Sequence, residues 1–222
     1  IMNYNKLTSL VANVEAIETA VQIHVQGRTA TTDEKEILSL YSGFGGIKEV
    51  LNIGTDNPVA DNMTESLHRL ETALRTLAGE DGTMYRTLIE SIKASVLTAF
   101  YTPQFIVDAV ARQIHTTFKD NNLQMRSFLE PSAGIGGFLP VAMPSTHSYA
   151  FEKDCITGLI LSLLHDDTDT VTAGFETIAG QGFEHSKFDV IASNIPFGNF
   201  KVFDADLWKK GGICEQATKT IH

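Results

Sequence analysis

Two short segments of this chain carry residue types that could do chemistry together. The first, Phe128-Leu129-Glu130-Pro131-Ser132-Ala133-Gly134-Ile135-Gly136-Gly137-Phe138, reads as an apolar strand running into a glycine turn. Glycine there lets the backbone approach a ligand closely, although Gly134, Gly136 and Gly137 also suit a plain turn. Glu152 ends the next strand about twenty residues on, where an acid takes ribose hydroxyls in dinucleotide-type sites. A solvated strand-end carboxylate is the plainer reading of Glu152, and Asp154 competes for the same role. The second segment, Ala192-Ser193-Asn194-Ile195-Pro196-Phe197-Gly198, continues an apolar strand and ends in an amide, a proline and a ring. The Asn194 oxygen and a neighbouring backbone carbonyl can both accept from an NH2 group, and Phe197 can stack on a flat ring. That pattern suits a base with an exocyclic amine, against the alternative of a proline turn with a core phenylalanine. Open α/β sheets bind ligands beyond the carboxyl ends of their strands, so two unusual strand-end loops imply one shared site.

The elements that must position these loops follow from hydrophobic spacing. Residues 1–98 read as a helical N-terminal region. Met63, Leu67, Leu70, Leu74 and Leu77 form one apolar stripe that ends at Gly79–Gly82, and Tyr85, Leu88, Ile89, Ile92 and Val96 form another. Thr31 and Glu34 make a capping box at the start of an earlier helix, which closes at Tyr41-Ser42-Gly43-Phe44-Gly45-Gly46. From residue 99 the pattern alternates. Pro103 opens a helix whose buried face is expected to be Phe105, Ile106, Ala109, Val110 and Ile114. Strands are expected at 126–130, 147–152, 169–173 and 187–192, with a helix at 154–165. This order predicts an α/β fold with about four parallel strands. Pro140 and Pro144 leave room for barely two helical turns after the glycine loop.

Composition excludes several classes. The chain has 222 residues, 43% hydrophobic and 20% charged, which suits one or two globular domains. No apolar run reaches the roughly 18 residues that a membrane span needs, so no membrane role is expected. Cys155 and Cys214 are too few and too far apart for a disulfide framework or a zinc site, and the seven histidines show no ligand spacing. A metal-free site and a reducing, cytoplasmic compartment are the expectations. A net charge of −10 argues against an all-over basic nucleic-acid binder.

With Phe100-Tyr101-Thr102-Pro103 upstream, the two segments resemble S-adenosylmethionine-dependent DNA adenine-N6 methyltransferases, in the motif order of their gamma class. The resemblance implies a Rossmann-like methyltransferase sheet over residues 99–222, incomplete at its C-terminal side. It implies that Tyr101, Thr102 and Pro103 pack around the methionine end of the cofactor. Glu130, Pro131, Ser132, Ala133, Gly134 and Gly136 would wrap it, Glu152 would hold the ribose, and Glu176 would lie near the cofactor's adenine ring. Asn194, Ile195, Pro196 and Phe197 would be catalytic on an adenine flipped out of DNA. The family pattern at that tip is Asn or Asp, Pro, Pro and an aromatic, so Ile195 stands where a proline is usual. Asp is frequent where Gly174 stands. A narrower resemblance, which includes Thr32-Asp33-Glu34 and Tyr41-Ser42-Gly43-Phe44-Gly45-Gly46, is to large methylases of phages and conjugative elements. It implies that the chain is part of a larger polypeptide with target-recognition or helicase-like regions, linked to restriction–modification. The Tyr-x-Gly-Phe-Gly-Gly piece reads either as a helix end with a packed aromatic or as a contact with DNA. Two alternatives stand beside this one: a protein or RNA methyltransferase, and a non-catalytic antirestriction module that binds DNA or cofactor with a degenerate site.

Overall fold

The computed structural model describes residues 5–55, 60–98, 101–175, 177 and 188–195. Its first helix, α1 (Lys6–Gln26), begins where the Asn5 side chain accepts from the Leu7 and Thr8 N–H groups and ends at Gly27 in the left-handed region. The expected capping box forms at α2 (Thr32–Ser39): the Thr31 hydroxyl accepts from the Glu34 N–H, and Glu34 Oε2 accepts from the Thr31 N–H. The two apolar stripes become α3 (Asp61–Ala78) and α4 (Gly82–Thr98). Met63, Leu67, Leu70 and Leu74 are buried on the first, and Leu88, Ile92 and Val96 on the second.

The alternating part gives α5 (Gln104–Asp120), β1 (Ser127–Glu130), β2 (His147–Phe151), α6 (Cys155–Leu164), β3 (Thr168–Val171) and β4 (Val190–Ile191). The sheet is parallel throughout, in the order β3-β2-β1-β4. Between β1 and β2 the chain makes only a 3-10 turn, Leu139–Val141, with Pro140 near its start. The proline-limited helix is thus shorter even than the spacing suggests. Among the described residues, β4 pairs Val190 and Ile191 with Phe128 and Leu129 of β1. The carboxyl ends of β1, β2 and β4 therefore lie on one side of the sheet.

One expectation fails. Phe105 is 71% and Ile106 41% exposed, and Ala109 is exposed too. The inward stripe of α5 starts at the buried Val107 and runs through Val110, Ala111, Ile114 and Phe118, which are partly buried. Both stripes obey the helical period and share Val110 and Ile114. Tertiary packing against Met125, Phe128 and Val141 selects the second.

The helical region shares its core with α6, while the strands pack with α5 in a second cluster. Ile156 and Ile160 of α6 are buried in the same cluster as Leu10, Ile17, Phe44, Leu70 and Ile92. The Tyr41–Gly46 segment lies at that junction. Asn13, fully buried in α1, donates to the Gly43 carbonyl at 2.6 Å and accepts from the Ser42 N–H at 2.8 Å. The rings of Tyr41 and Phe44 are buried edge to face, and the Thr157 hydroxyl of α6 donates to the Tyr41 oxygen at 3.4 Å. Packed aromatics, one of the two readings of this motif, are what the segment contains.

Candidate functional site

At the carboxyl end of β1 the chain turns through Ser132, Ala133 and Gly134, and the tip of β4 comes to meet it. The Ser193 hydroxyl accepts from the Ser132 N–H at 3.2 Å and donates to the Ser132 carbonyl at 3.1 Å. One side chain thus ties together the two segments singled out by their residue types, and it places Asn194 beside the glycine loop. At the tip of β2, Glu152 receives the Gly134 N–H on Oε2 at 2.8 Å and the Asp154 N–H on Oε1 at 2.7 Å. Gly134 has φ +57°, and a side chain there would strike the Tyr101 ring. The absence of a side chain lets Tyr101 lie across the loop.

A cavity of about 600 Å³ opens among these groups, a size suited to a nucleoside-sized ligand. Of the residues expected at the site, Tyr101, Thr102, Glu130, Ser132, Ala133, Gly134, Glu152 and Asn194 line it. Pro103 sits outside as the N-cap of α5, Pro131 is not on the wall, and Ile195 is exposed next to Asn194. Gly136 also lies off the wall and is buried behind the loop. Pro196, Phe197 and Glu176 fall outside the described residues.

Gly136 adopts φ +89°, and an added Cβ would meet His165 Nε2 at 2.5 Å and Leu139 Cδ1 at 2.7 Å. His165 Nε2 itself is hydrogen-bonded with the Ile135 carbonyl at 2.9 Å, bracing the loop from α6's end. Gly136→Ala is expected to lower stability by about 1–3 kcal/mol through backbone strain alone. A fall in the urea midpoint at constant slope would show it, and an unchanged midpoint would contradict it.

The electrostatics of the cavity are acidic. Glu90, Glu130, Glu152 and Asp154 line it together with Lys153. Glu130 is 1% exposed. Its Oε1 accepts from the Phe138 N–H at 2.9 Å, whereas Oε2 is buried with no hydrogen-bond partner among the described residues. Burial, and then the charge of Glu152, push its carboxyl up to about 8, against the pull of the Phe138 and Leu139 N–H groups. Glu152 is also raised, first by burial and then by Asp154, while the N–H groups of Asp154 and Gly134 oppose the shift. Burial and the charges of Glu152 and Asp154 hold the Tyr101 phenol well above its ordinary value, so it stays a neutral hydroxyl. Asp154 has structural duties: Oδ1 accepts from the Thr157 N–H to cap α6, and Oδ2 accepts from the Ser91 hydroxyl. Each of the two strand-end acids thus holds two protein donors, and both line the cavity.

No family model matches the chain. It is 24% identical over 187 residues to the defense against restriction protein B of Escherichia phage P1, covering 84% of this chain and 6% of that protein. The chain thus spans a small fraction of the curated relative it matches. In fold it is similar to the methyltransferase subunit of a type I restriction-modification system from Streptococcus thermophilus, with a TM-score of 0.42 and 13% identity over 91% of this chain and 60% of the other. A modification subunit assigned to a type I restriction enzyme of Vibrio vulnificus YJ016 gives a TM-score of 0.33 and 14% identity, over 88% and 56% of the two chains.

The cavity also has walls that residue types did not announce. Gly43 of the aromatic loop reaches it, as do Thr87, Glu90, Ser91, Ala94 and Ser95 of α4. The available signal is their recurrence three and four apart along α4, beside the buried stripe of Leu88, Ile92 and Val96. Short polar residues at that spacing look the same on any solvated helix face.

Proposed function

We propose that this chain is the cofactor-binding portion of an S-adenosylmethionine-dependent DNA adenine-N6 methyltransferase, part of a larger methylase of a bacterial mobile element. The observation that supports this most is the convergence of Ser132–Gly134, Glu152 and Asn194 on one cavity, with Ser193 joining the two loops. The donor set fits the cofactor. Glu152 at a strand tip can accept ribose hydroxyls, and Glu130 adds a second acidic side chain to the wall that a positively charged ligand would meet.

When bound, S-adenosylmethionine supplies a methyl group already activated by its sulfonium. What remains for the protein is positioning. In this reading Glu152 and the glycine loop orient the nucleoside, while Tyr101 and Thr102 bound the cavity towards Asn194. Asn194 Oδ1 and the Ile195 carbonyl accept the two N–H bonds of adenine's amino group, which draws its lone pair out of ring conjugation. An isoleucine can serve at that position because the contact comes from the backbone. Flipping the adenine out of the duplex costs a few kcal/mol, offset in part by stacking on Phe197. DNA is thus the partner, and residues beyond this portion would supply target recognition.

A second reading, an antirestriction module that binds the cofactor or DNA without catalysis, has the printed name of the phage relative in its favour. Calorimetric titration with S-adenosylmethionine tests the first step. Saturable binding, weakened at least about tenfold by Glu152→Ala through loss of its hydrogen bonds to the ribose, is the expected result. No binding by the wild-type protein would sink the cofactor assignment. Binding without methyl transfer to DNA by the full-length protein would favour the antirestriction reading.

A further inference from the structure

Helix α4 carries one face buried in the helical core and another that borders the cavity. Leu88, Ile92 and Val96 are buried against the helical core. Thr87, Glu90, Ser91, Ala94 and Ser95 form a separate stripe, and all five line the cavity that also holds the glycine loop and Glu152. Their side chains are short, apart from Glu90. Longer side chains on the same helix, such as Arg86 and Lys93, do not line the cavity. The stripe therefore leaves room where bulkier residues would fill it. A second observation comes from another wall of the same space: the Glu130 carboxyl is buried, and its Oε2 has no hydrogen-bond partner among the described residues.

We propose that α4 is a ligand-contacting element, whose Thr87–Ser95 stripe closes over the cationic nucleoside held by the glycine loop and Glu152, so that the helical region and the sheet bind it jointly. The inference rests on the cofactor reading above and adds to it a set of contacts from outside the sheet. Links already join the two parts at this wall. The Ser91 hydroxyl donates to Asp154, the Cys155 thiol lies 3.9 Å from Ser91 Oγ, and Thr157 meets Tyr41. Glu90 brings a further carboxylate to a cavity already bordered by Glu130, Glu152 and Asp154. A cluster of that sign favours a cation and discriminates against a neutral ligand of the same shape. The sulfonium form of the cofactor is such a cation, and the thioether left after methyl loss is not.

Ala94→Trp tests the wall directly, because Ala94 is solvent-exposed in the folded chain and faces the cavity. Arg86→Trp places the same bulk on an exposed part of the same helix away from the cavity. In titrations with S-adenosylmethionine, Ala94→Trp is expected to weaken binding at least a hundredfold and Arg86→Trp less than twofold. In the wild-type protein the ligand should also slow amide hydrogen exchange across residues 82–98. If Ala94→Trp binds like wild type while Glu152→Ala does not, the α4 contact is overturned and the cofactor reading stands. If the wild-type protein binds nothing, both fall. Should the tryptophan variant lose its helical circular dichroism, Ala94→Leu and the hydrogen exchange of the wild-type protein decide. Exchange unaffected by a saturating ligand would overturn the proposal.

Discussion

Asn194→Ala is expected to reduce methyl transfer to DNA by a factor on the order of a hundred to a thousand, comparable with removing one preorganised polar group from other active sites. Cofactor affinity should change by less than about threefold, because the proposed function puts Asn194 on the target side of the cavity and makes Glu152 the ribose acceptor. The local geometry makes the substitution clean. Asn194 follows Ser193, whose hydroxyl bonds both the N–H and the carbonyl of Ser132, so the tip stays anchored when the next side chain is shortened. Loss of the amide oxygen leaves the Ile195 carbonyl as the sole acceptor proposed for the amino group. The lone pair then stays conjugated with the ring, and the rate falls without a matching loss of binding. Asn194→Asp would restore an acceptor and should recover part of the rate. Single-turnover transfer with saturating cofactor is the measurement. Equal losses in cofactor affinity and rate would mean that Asn194 holds the cofactor, and an unchanged rate would remove it from the chemistry.

The fold was legible where local rules decide it. Thr31 and Glu34 cap α2 because a capping box needs only four consecutive residues. The strands at β1 to β3 follow from short apolar runs bounded by turns, and the stripes of α3 and α4 from their period. The face of α5 was not legible, since Phe105 and Ile106 fit the period as well as Val107 and Ala111 do. Only packing on Met125 and Val141 separates them. The site divides the same way. Glu152, Gly134 and Asn194 announce themselves by type at strand ends. The α4 wall and Gly43 do not, because their approach depends on Asn13 holding the Gly43 carbonyl and on Ile156 docking α6 into the helical core. Those contacts join residues distant in the chain, and no spacing rule reports them.

Glu130 should make both stability and cofactor affinity depend on pH in opposite directions. Its carboxyl is pushed from 4.5 to about 8 by burial. Between those values the folded chain holds a proton that the unfolded chain has released. Stability must therefore fall as pH rises through this window, by about 1.4 kcal/mol per unit for one such group, and level off above it. Glu152 is shifted the same way. His165 has the reverse sign: burial lowers its pKa below 6.5, so its neutral form gains stability as pH rises towards that value. The interval from pH 6.5 to about 8 is thus where Glu130 acts without it. Urea midpoints in that interval should decline for the wild-type protein and be nearly flat for Glu130→Gln, which keeps the shape and has no proton to lose. A cationic ligand reverses the preference, because it favours the ionised carboxylate that the empty cavity disfavours. Affinity for S-adenosylmethionine should then rise with pH below about 8, by up to about tenfold per unit, with proton release visible as a buffer-dependent heat. S-adenosylhomocysteine lacks the sulfonium charge and should show a shallower slope. A wild-type slope retained by Glu130→Gln would assign the proton to Glu152 instead. Glu152→Gln should then flatten it, at the cost of one of the two N–H bonds that its carboxylate accepts from Gly134 and Asp154.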